Sequence, residues 1–179
     1  MRGYDFATDV AMTTLTSPSP YTVLFLCTAN SARSILSESL LNGLGGDRVR
    51  AFSAGSHPGG VVNPYALALL REQGLPTAGL RSKSWDEFAA PDAPHIDCVI
   101  TVCDNAAGEM CPLWPGAPLK AHWGAPDPAG AEGSDADKRH AFQSVYALLR
   151  QRVERLLALP LATMDRAELK RQLDAIGAA

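Results

Sequence analysis

Apolar residues along this chain form short continuous runs separated by helical stripes. Tyr21 to Leu26 is apolar on both faces, as in a central buried strand. After a short loop, Leu36, Leu40 and Leu44 recur at four-residue spacing and predict a helix that Gly45-Gly46 ends. Arg48 to Ala54 reads as a second strand leading into the turn Gly55-Ser56-His57-Pro58-Gly59-Gly60. Asn63 then caps a helix with Pro64 in its first turn and Gly74 just past its end. Ser84 and Glu87 have capping-box spacing and predict a short helical turn.

Ile96 to Val102, rich in β-branched residues, predicts a third strand, and Leu119 to Trp123 a short fourth. Between them Cys103 to Pro118 has three prolines and no stripe, which predicts a long loop. A further loop, Gly124 to Gly133, carries Asp127-Pro128. Phe142, Val145, Tyr146, Leu149, Val153 and Leu156 share the clearest helical face, stopped by Pro160. Asp165 with Glu168 opens a last amphipathic helix through Leu169, Leu173 and Ile176.

Strands alternating with helices predict an α/β fold, a parallel doubly wound sheet covered on both sides. Ligands in such sheets sit beyond the carboxyl ends of the strands. Cys27, Cys103 and Asp127 all fall at or just after such ends. Residues 1–20 lack periodicity, end in Thr-Ser-Pro-Ser-Pro and read as a flexible extension. Residues 21–159 then form the domain, with 160–179 a C-terminal amphipathic helix extension.

Composition adds exclusions. A net charge of -3 and a pI near 5.8 give no basis for a nucleic acid or an anionic membrane as partner. The first 20 residues lack the apolar core of a secretory signal, and no run is long enough to span a bilayer, so the expected compartment is the cytoplasm. Four cysteines, Cys27, Cys98, Cys103 and Cys111, in that setting point to catalytic or redox use rather than a static disulfide framework.

The chemistry concentrates in Cys27-Thr28-Ala29-Asn30-Ser31-Ala32-Arg33-Ser34, a C-x5-R loop between a buried strand and a helix. A loop closing onto a helix in this way can converge its N–H groups on one tetrahedral oxyanion. The same field favours thiolate over thiol at its centre, which makes Cys27 the candidate nucleophile. Arg33 offers a two-pronged donor to an oxyanion, and Ser34 a hydroxyl to the sulfur. The bland alternative is a core cysteine near a solvated arginine; the flanking strand and helix favour the chemical one.

Cys103 and Cys111 bracket seven residues that include glycine and small side chains. Such a dithiol can resolve a disulfide formed elsewhere and pass it outward. Their spacing is far from that of a zinc pair, and no matching histidines follow. Cys98, inside the third strand, reads as a small hydrophobe. Asp127, on a loop at the strand rim, is the candidate general acid or base, although Asp-Pro is also an ordinary turn signature. The four histidines lack metal spacing and read as structural or solvated.

Together, Phe25 to Ser34, Cys103 with Cys111-Pro112, and His122-Trp123-Gly124-Ala125-Pro126-Asp127-Pro128 resemble the arsenate reductases built on the low-molecular-weight protein tyrosine phosphatase fold. The resemblance runs from about Val23 to Leu157 and implies a four-stranded parallel sheet flanked by helices. It also implies a relay: Cys27 attacks arsenate held by the loop and Arg33 while Asp127 assists loss of water. Cys103 then attacks Cys27, and Cys111 attacks Cys103. The resulting disulfide passes to an external thiol reductant, with no tightly bound cofactor. Phosphate or sulfate would bind as analogues. Some members hold a structural potassium ion, and Asn30, Glu38, Ser53 and Asp86 stand at the matching positions. Ala32 stands where some members have another cysteine, and Cys103 and Cys111 are one residue further apart than in single-domain thioredoxin-coupled members. The reductant therefore stays open between thioredoxin, glutaredoxin with glutathione, and another small thiol. Two other readings remain: a phosphatase working through a Cys27 phosphoenzyme, and a non-enzymatic oxyanion-binding or redox-sensing module.

Overall fold

The computed structural model describes residues 18–179, so the expectation of a flexible extension over 1–20 lies almost wholly outside the described residues. Strands β1 (Tyr21–Cys27), β2 (Val49–Gly55), β3 (Cys98–Thr101) and β4 (Leu119–His122) form one sheet in the order β2-β1-β3-β4, every neighbour parallel. The register sets Cys27 beside Gly55, Leu26 beside Thr101, and Thr101 beside His122. All four strands therefore end at one rim.

Successive strand residues face opposite ways, and two apolar clusters result. Val23, Phe25 and Cys27 of β1 join Cys98 and Ile100 of β3 in the larger one. Helices α1 (Arg33–Gly45), α2 (Pro64–Glu72), α4 (Asp135–Leu157) and α5 (Arg166–Ala178) complete it. Leu24, Leu26 and Val99 face the other way, toward Phe88 and Trp114. Both faces are covered, but unequally: a 3-10 turn at Trp85–Phe88 and irregular chain close the second.

Helix α5 buries Leu169, Leu173 and Ile176 in the larger cluster. Each such side chain contributes roughly 1.5 to 3 kcal/mol. Trp123 Nε1 donates to Leu173 O at 2.9 Å, and the buried Arg152 of α4 donates to Trp123 O (2.8 Å) and Gly177 O (3.2 Å). These bonds tie the last helix to the exit of β4, so it is built into the core of the fold.

Local expectations were met at Asn63, whose Oδ1 accepts from Tyr65 N at 2.9 Å, and at Gly74, with φ +68°. Four others need correction. Leu44 is 37% exposed, because each four-residue step drifts about 40° around a helix of 3.6 residues per turn. The third strand is shorter than Ile96 to Val102, because the Asp97 carboxylate turns to accept Thr22 N at 2.8 Å. The helical turn expected at Ser84 is present over Trp85–Phe88 with Ser84 accepting from Asp86 N, and only its capping box fails, because Glu87 pairs with Arg81 at 2.8 Å. The expected loop after Cys103 begins with a short helix, α3 (Asp104–Gly108).

Candidate active site

The loop from Thr28 to Ala32 is shaped by where its carbonyls go. Cys27 O accepts from Ser56 N (3.3 Å), Thr28 O from His57 N (2.9 Å), Ala29 O from Gly59 N (3.2 Å) and Ser31 O from Asn63 N (2.9 Å). A trans peptide points its N–H opposite to its C=O, so the N–H groups of Thr28, Ala29, Asn30 and Ala32 turn to the inner side. Asn30 N accordingly donates to Cys27 Sγ at 3.2 Å. The loop lies so close to the end of β2 that a Cβ on Gly55 would collide with Thr28 O. No side chain caps α1 at Ala32 and no acid occupies its first turn, so its N-terminal donors are left for an anion.

Asn30 is the keystone of this loop. Its φ of +47° is a left-handed conformation that asparagine tolerates better than most residues. Its Nδ2 donates to both Ser34 Oγ and Ser53 Oγ at 2.9 Å, and its Oδ1 accepts from Lys83 N at 2.9 Å. Ser34, receiving that bond, turns its own proton to Cys27 Sγ at 2.8 Å. Ser53 likewise donates to the Glu38 carboxylate. Cys27 thus meets a backbone donor and a hydroxyl donor.

Arg33 opens α1 and reaches across the rim, donating Nη1 to Ala125 O at 3.0 Å, with Nη2 3.8 Å from Asp127 Oδ1. Asp127 also caps the following turn by accepting from Ala129 N at 3.1 Å. Its side chain is half-exposed, placed where a leaving oxygen could take a proton. Cys103 follows β3, is buried, and caps α3 by accepting from Ala106 N at 3.4 Å. Its Sγ lies 3.6 Å from Thr28 Oγ1, within the loop that carries Cys27. Cys27, Arg33, Cys103 and Asp127 are therefore brought together at one rim.

Cys111 is not among them. It packs half-buried against the second apolar cluster, beside Trp114, and its thiol is pushed up by burial. To reach Cys103, the segment after α3 must move. Cys98 is fully buried in β3, and burial pushes its thiol up to about 12, as fits a packing residue.

A sequence model of the low molecular weight phosphotyrosine protein phosphatase family matches residues 22–175. The chain belongs to that family. Among its relatives is a protein of Bacillus licheniformis named arsenate reductase, 38% identical over 138 residues, 76% of this chain and 95% of the relative. Its Bacillus subtilis namesake is 36% identical over 123 residues, 69% of this chain and 85% of the relative. The crystal structure of an arsenate reductase from Archaeoglobus fulgidus superposes with a TM-score of 0.60 at 29% identity, covering 76% of this chain and 99% of that one. A thioredoxin-dependent arsenate reductase of Corynebacterium glutamicum gives 0.53 at 28%, covering 75% of this chain and 61% of that one.

Within this phosphatase family the potassium expectation can be tested against the donors. Asn30, Glu38 and Ser53 do come together, but Asp86 is exposed and makes no side-chain hydrogen bond to them. The Asn30 amide presents its nitrogen to Ser53, and its oxygen is taken by Lys83 N. Lys83 Nζ itself stands 3.8 Å from Glu38 Oε2, with both side chains buried. The residues do not fit a potassium ion: the Asn30 oxygen is taken, Asp86 is turned to solvent, and an ammonium already faces the Glu38 carboxylate.

Sequence reading missed Lys83, which lies in irregular chain without periodicity. The available signal was its partner, since a glutamate between Leu36 and Leu40 on a buried helix calls for a buried cation. His122, by contrast, is structural, as expected. His122 bridges Thr101 Oγ1 (Nδ1, 2.7 Å) to Asp104 Oδ1 (Nε2, 2.8 Å), bracing the chain next to Cys103. A Cβ on Gly124 would lie 2.8 Å from both Asp104 Oδ1 and His122 Nε2, so only glycine leaves room for this bridge.

Proposed function

We propose that the protein reduces arsenate to arsenite and that Cys27, Cys103 and Cys111 carry the electrons. The observation that carries this reading is the Cys103 thiol, 3.6 Å from Thr28 Oγ1 at the edge of the oxyanion loop. A phosphatase needs Cys27, Arg33 and Asp127 but has no use for a second thiol there.

In this reading the N–H groups of the loop from Thr28 to Ser34 and the Arg33 guanidinium hold the oxyanion. The Cys27 thiolate bonds to arsenic, and an arsenate oxygen leaves as water with a proton from Asp127. The Cys103 thiolate then attacks Cys27 sulfur. The new S–S bond forms as the S–As bond breaks, and its electron pair stays on arsenic, which departs as arsenite. The two sulfurs together have lost the two electrons that arsenic gained. Cys111 next attacks Cys103, which frees Cys27, and the Cys103–Cys111 disulfide is reduced by an external thiol.

We infer that thioredoxin is this reductant, with support from the thioredoxin-dependent relative in Corynebacterium glutamicum. Glutaredoxin with glutathione is the alternative. A relay that cycles through free thiols needs a reducing compartment, which favours the cytoplasm. Among the described residues no helix is long and apolar enough to cross a membrane.

The test is arsenate turnover in the wild type and in Cys27→Ser, Cys103→Ser and Cys111→Ser with each reductant. Sustained turnover in Cys103→Ser would end the relay reading. Phosphomonoester hydrolysis in that variant, without arsenate-dependent thiol oxidation, would favour the phosphatase.

A further inference from the structure

The Lys83 side chain and main chain converge on the underside of the oxyanion loop from one direction. Lys83 N donates to Asn30 Oδ1 at 2.9 Å, and Lys83 O accepts from Gly55 N at 2.9 Å, which fixes the backbone beside the end of β2. From there Nζ reaches inward to Glu38 Oε2 at 3.8 Å and to Arg81 O at 3.1 Å. Lys83 is 7% exposed and Glu38 9%.

A hydrogen-bonded chain runs from this pair to the nucleophile. Glu38 accepts from Ser53, Ser53 and Ser34 both accept from Asn30 Nδ2, and Ser34 donates to Cys27 Sγ. If Glu38 were protonated it would compete to donate to Ser53, and the direction of the chain would no longer be fixed. Something must therefore keep the buried carboxylate charged. Burial pushes Glu38 up and Lys83 down, and the charge of each opposes the other's shift. Arg81 is the next cation toward Glu38, but its guanidinium is exposed and engaged by Glu87.

We propose that Lys83 is a positioning residue that serves as a built-in cation for the oxyanion loop, holding Glu38 charged where a monovalent metal ion would otherwise be needed. The loop geometry is then independent of potassium. The proposal rests on the reading of Cys27 to Ser34 as an oxyanion site.

Thermal midpoints and inorganic phosphate affinity, measured in KCl and in choline chloride at equal ionic strength, test it. The wild type is expected to give the same values in both salts. In choline chloride, Lys83→Ala leaves Glu38 without a counter-charge and is expected to bind phosphate about tenfold more weakly, with a lower midpoint. KCl is expected to recover most of both losses, because a cation can now enter the space left by the ammonium. Lys83→Met with Glu38→Gln removes both charges and is expected to fold and to ignore KCl.

A potassium-specific rise in the wild-type midpoint or affinity would overturn the proposal. So would a Lys83→Ala protein unchanged in choline chloride, or one whose losses KCl does not recover. If Lys83→Ala does not fold, the other two proteins decide: indifference of both to KCl supports the proposal, and a response of either overturns it. Failure of the wild type to bind phosphate would count against the oxyanion site itself, while the midpoints still judge Lys83.

Discussion

The Asn30 side-chain amide donates to Ser34 Oγ at 2.9 Å and thereby turns the Ser34 hydroxyl proton toward Cys27 Sγ. Sulfur alone does not choose this arrangement, since a thiol and a hydroxyl can each donate to the other. The amide chooses it, because its nitrogen can only donate, which leaves Sγ as the acceptor for the proton of the buried Ser34.

Ser34→Ala and Asn30→Ala should both slow alkylation of Cys27 at neutral pH. A hydrogen bond to a charged group is worth about 1.5 to 3 kcal/mol, so the expected slowing in Ser34→Ala is about tenfold or more. Asn30→Ala should lose at least as much, since alanine neither directs the two serines nor favours φ +47°. Iodoacetamide kinetics followed by mass spectrometry of the Cys27 peptide check this. Rates equal to the wild type would remove the hydroxyl from the account of the nucleophile.

The separation of Cys111 from Cys103 leads to a second expectation. Cys103 lies in the larger cluster and Cys111 on the other side of the sheet, so transfer between them requires rearrangement of the chain after α3. Cys111→Ser should release about one arsenite per enzyme and then stop, holding a Cys27–Cys103 disulfide visible by intact mass. Because α3 is short and capped only by the Cys103 thiol, oxidation of that thiol removes the cap. Amide exchange over Asp104–Gly108 should therefore be faster in this trapped form than in the reduced protein.

Asp127 and Arg33 separate binding from chemistry. Asp127→Asn keeps a cap for Ala129 N but cannot give up a proton as an acid does, so kcat for arsenate should fall about a hundredfold or more. Phosphate inhibition should be unchanged or tighter, because a negative charge 3.8 Å from Arg33 is gone. Arg33→Lys should chiefly raise KM, since an ammonium cannot span two oxygens of one oxyanion. Steady-state kinetics with phosphate as competitor distinguish the two.

Much of this site was legible in sequence because its signals are local. The Cys27 loop announces itself by a strand before it and a helix after it, and Asn63-Pro64 with Gly74 brackets α2 through cap chemistry that needs no tertiary information. Short, nonperiodic elements were not legible. Helix α3 has five residues, too few to show a stripe, and its cap is a thiol rather than a serine or aspartate. Lys83 is fixed by Glu38, forty-five positions away, and by Asn30 across the loop. Cys111 could be named as a candidate dithiol partner of Cys103 from its spacing, but no pattern could place it on the opposite face of the sheet.

Met110 and Leu113, 95% and 94% exposed, flank Cys111 and bear on the choice of reductant. If a thioredoxin docks over Cys111, it covers these side chains, and Leu113→Asp should raise the KM for thioredoxin several-fold with the KM for arsenate unchanged. Turnover supported by glutathione, which is too small to depend on that surface, should change little. Equal effects on both reductants would point to a local distortion of the Cys111 segment instead.

Cys98 gives a stability prediction whose sign follows from its burial. The thiol sits fully buried in β3, raised from an ordinary value near 9 to about 12 by loss of solvent. Between these values the unfolded chain releases the proton and the folded chain keeps it. Unfolding is then favoured as pH rises, and stability falls by roughly 1 kcal/mol per pH unit across that window. Below about pH 9 the group contributes no slope, because both states hold the proton. Tyr21, also raised by burial, adds to the loss at the alkaline end. Urea midpoints from about pH 8 to about pH 11 should therefore drop steeply in the wild type and less steeply in Cys98→Ala, in which the other shifted groups, Tyr21 and Cys111 among them, still titrate. The alanine variant should still turn over arsenate at neutral pH, since Cys98 touches neither the loop nor Cys103. A slope identical in the two proteins would mean that the folded state gives up the Cys98 proton as readily as the unfolded chain does. That result would contradict its placement in the core.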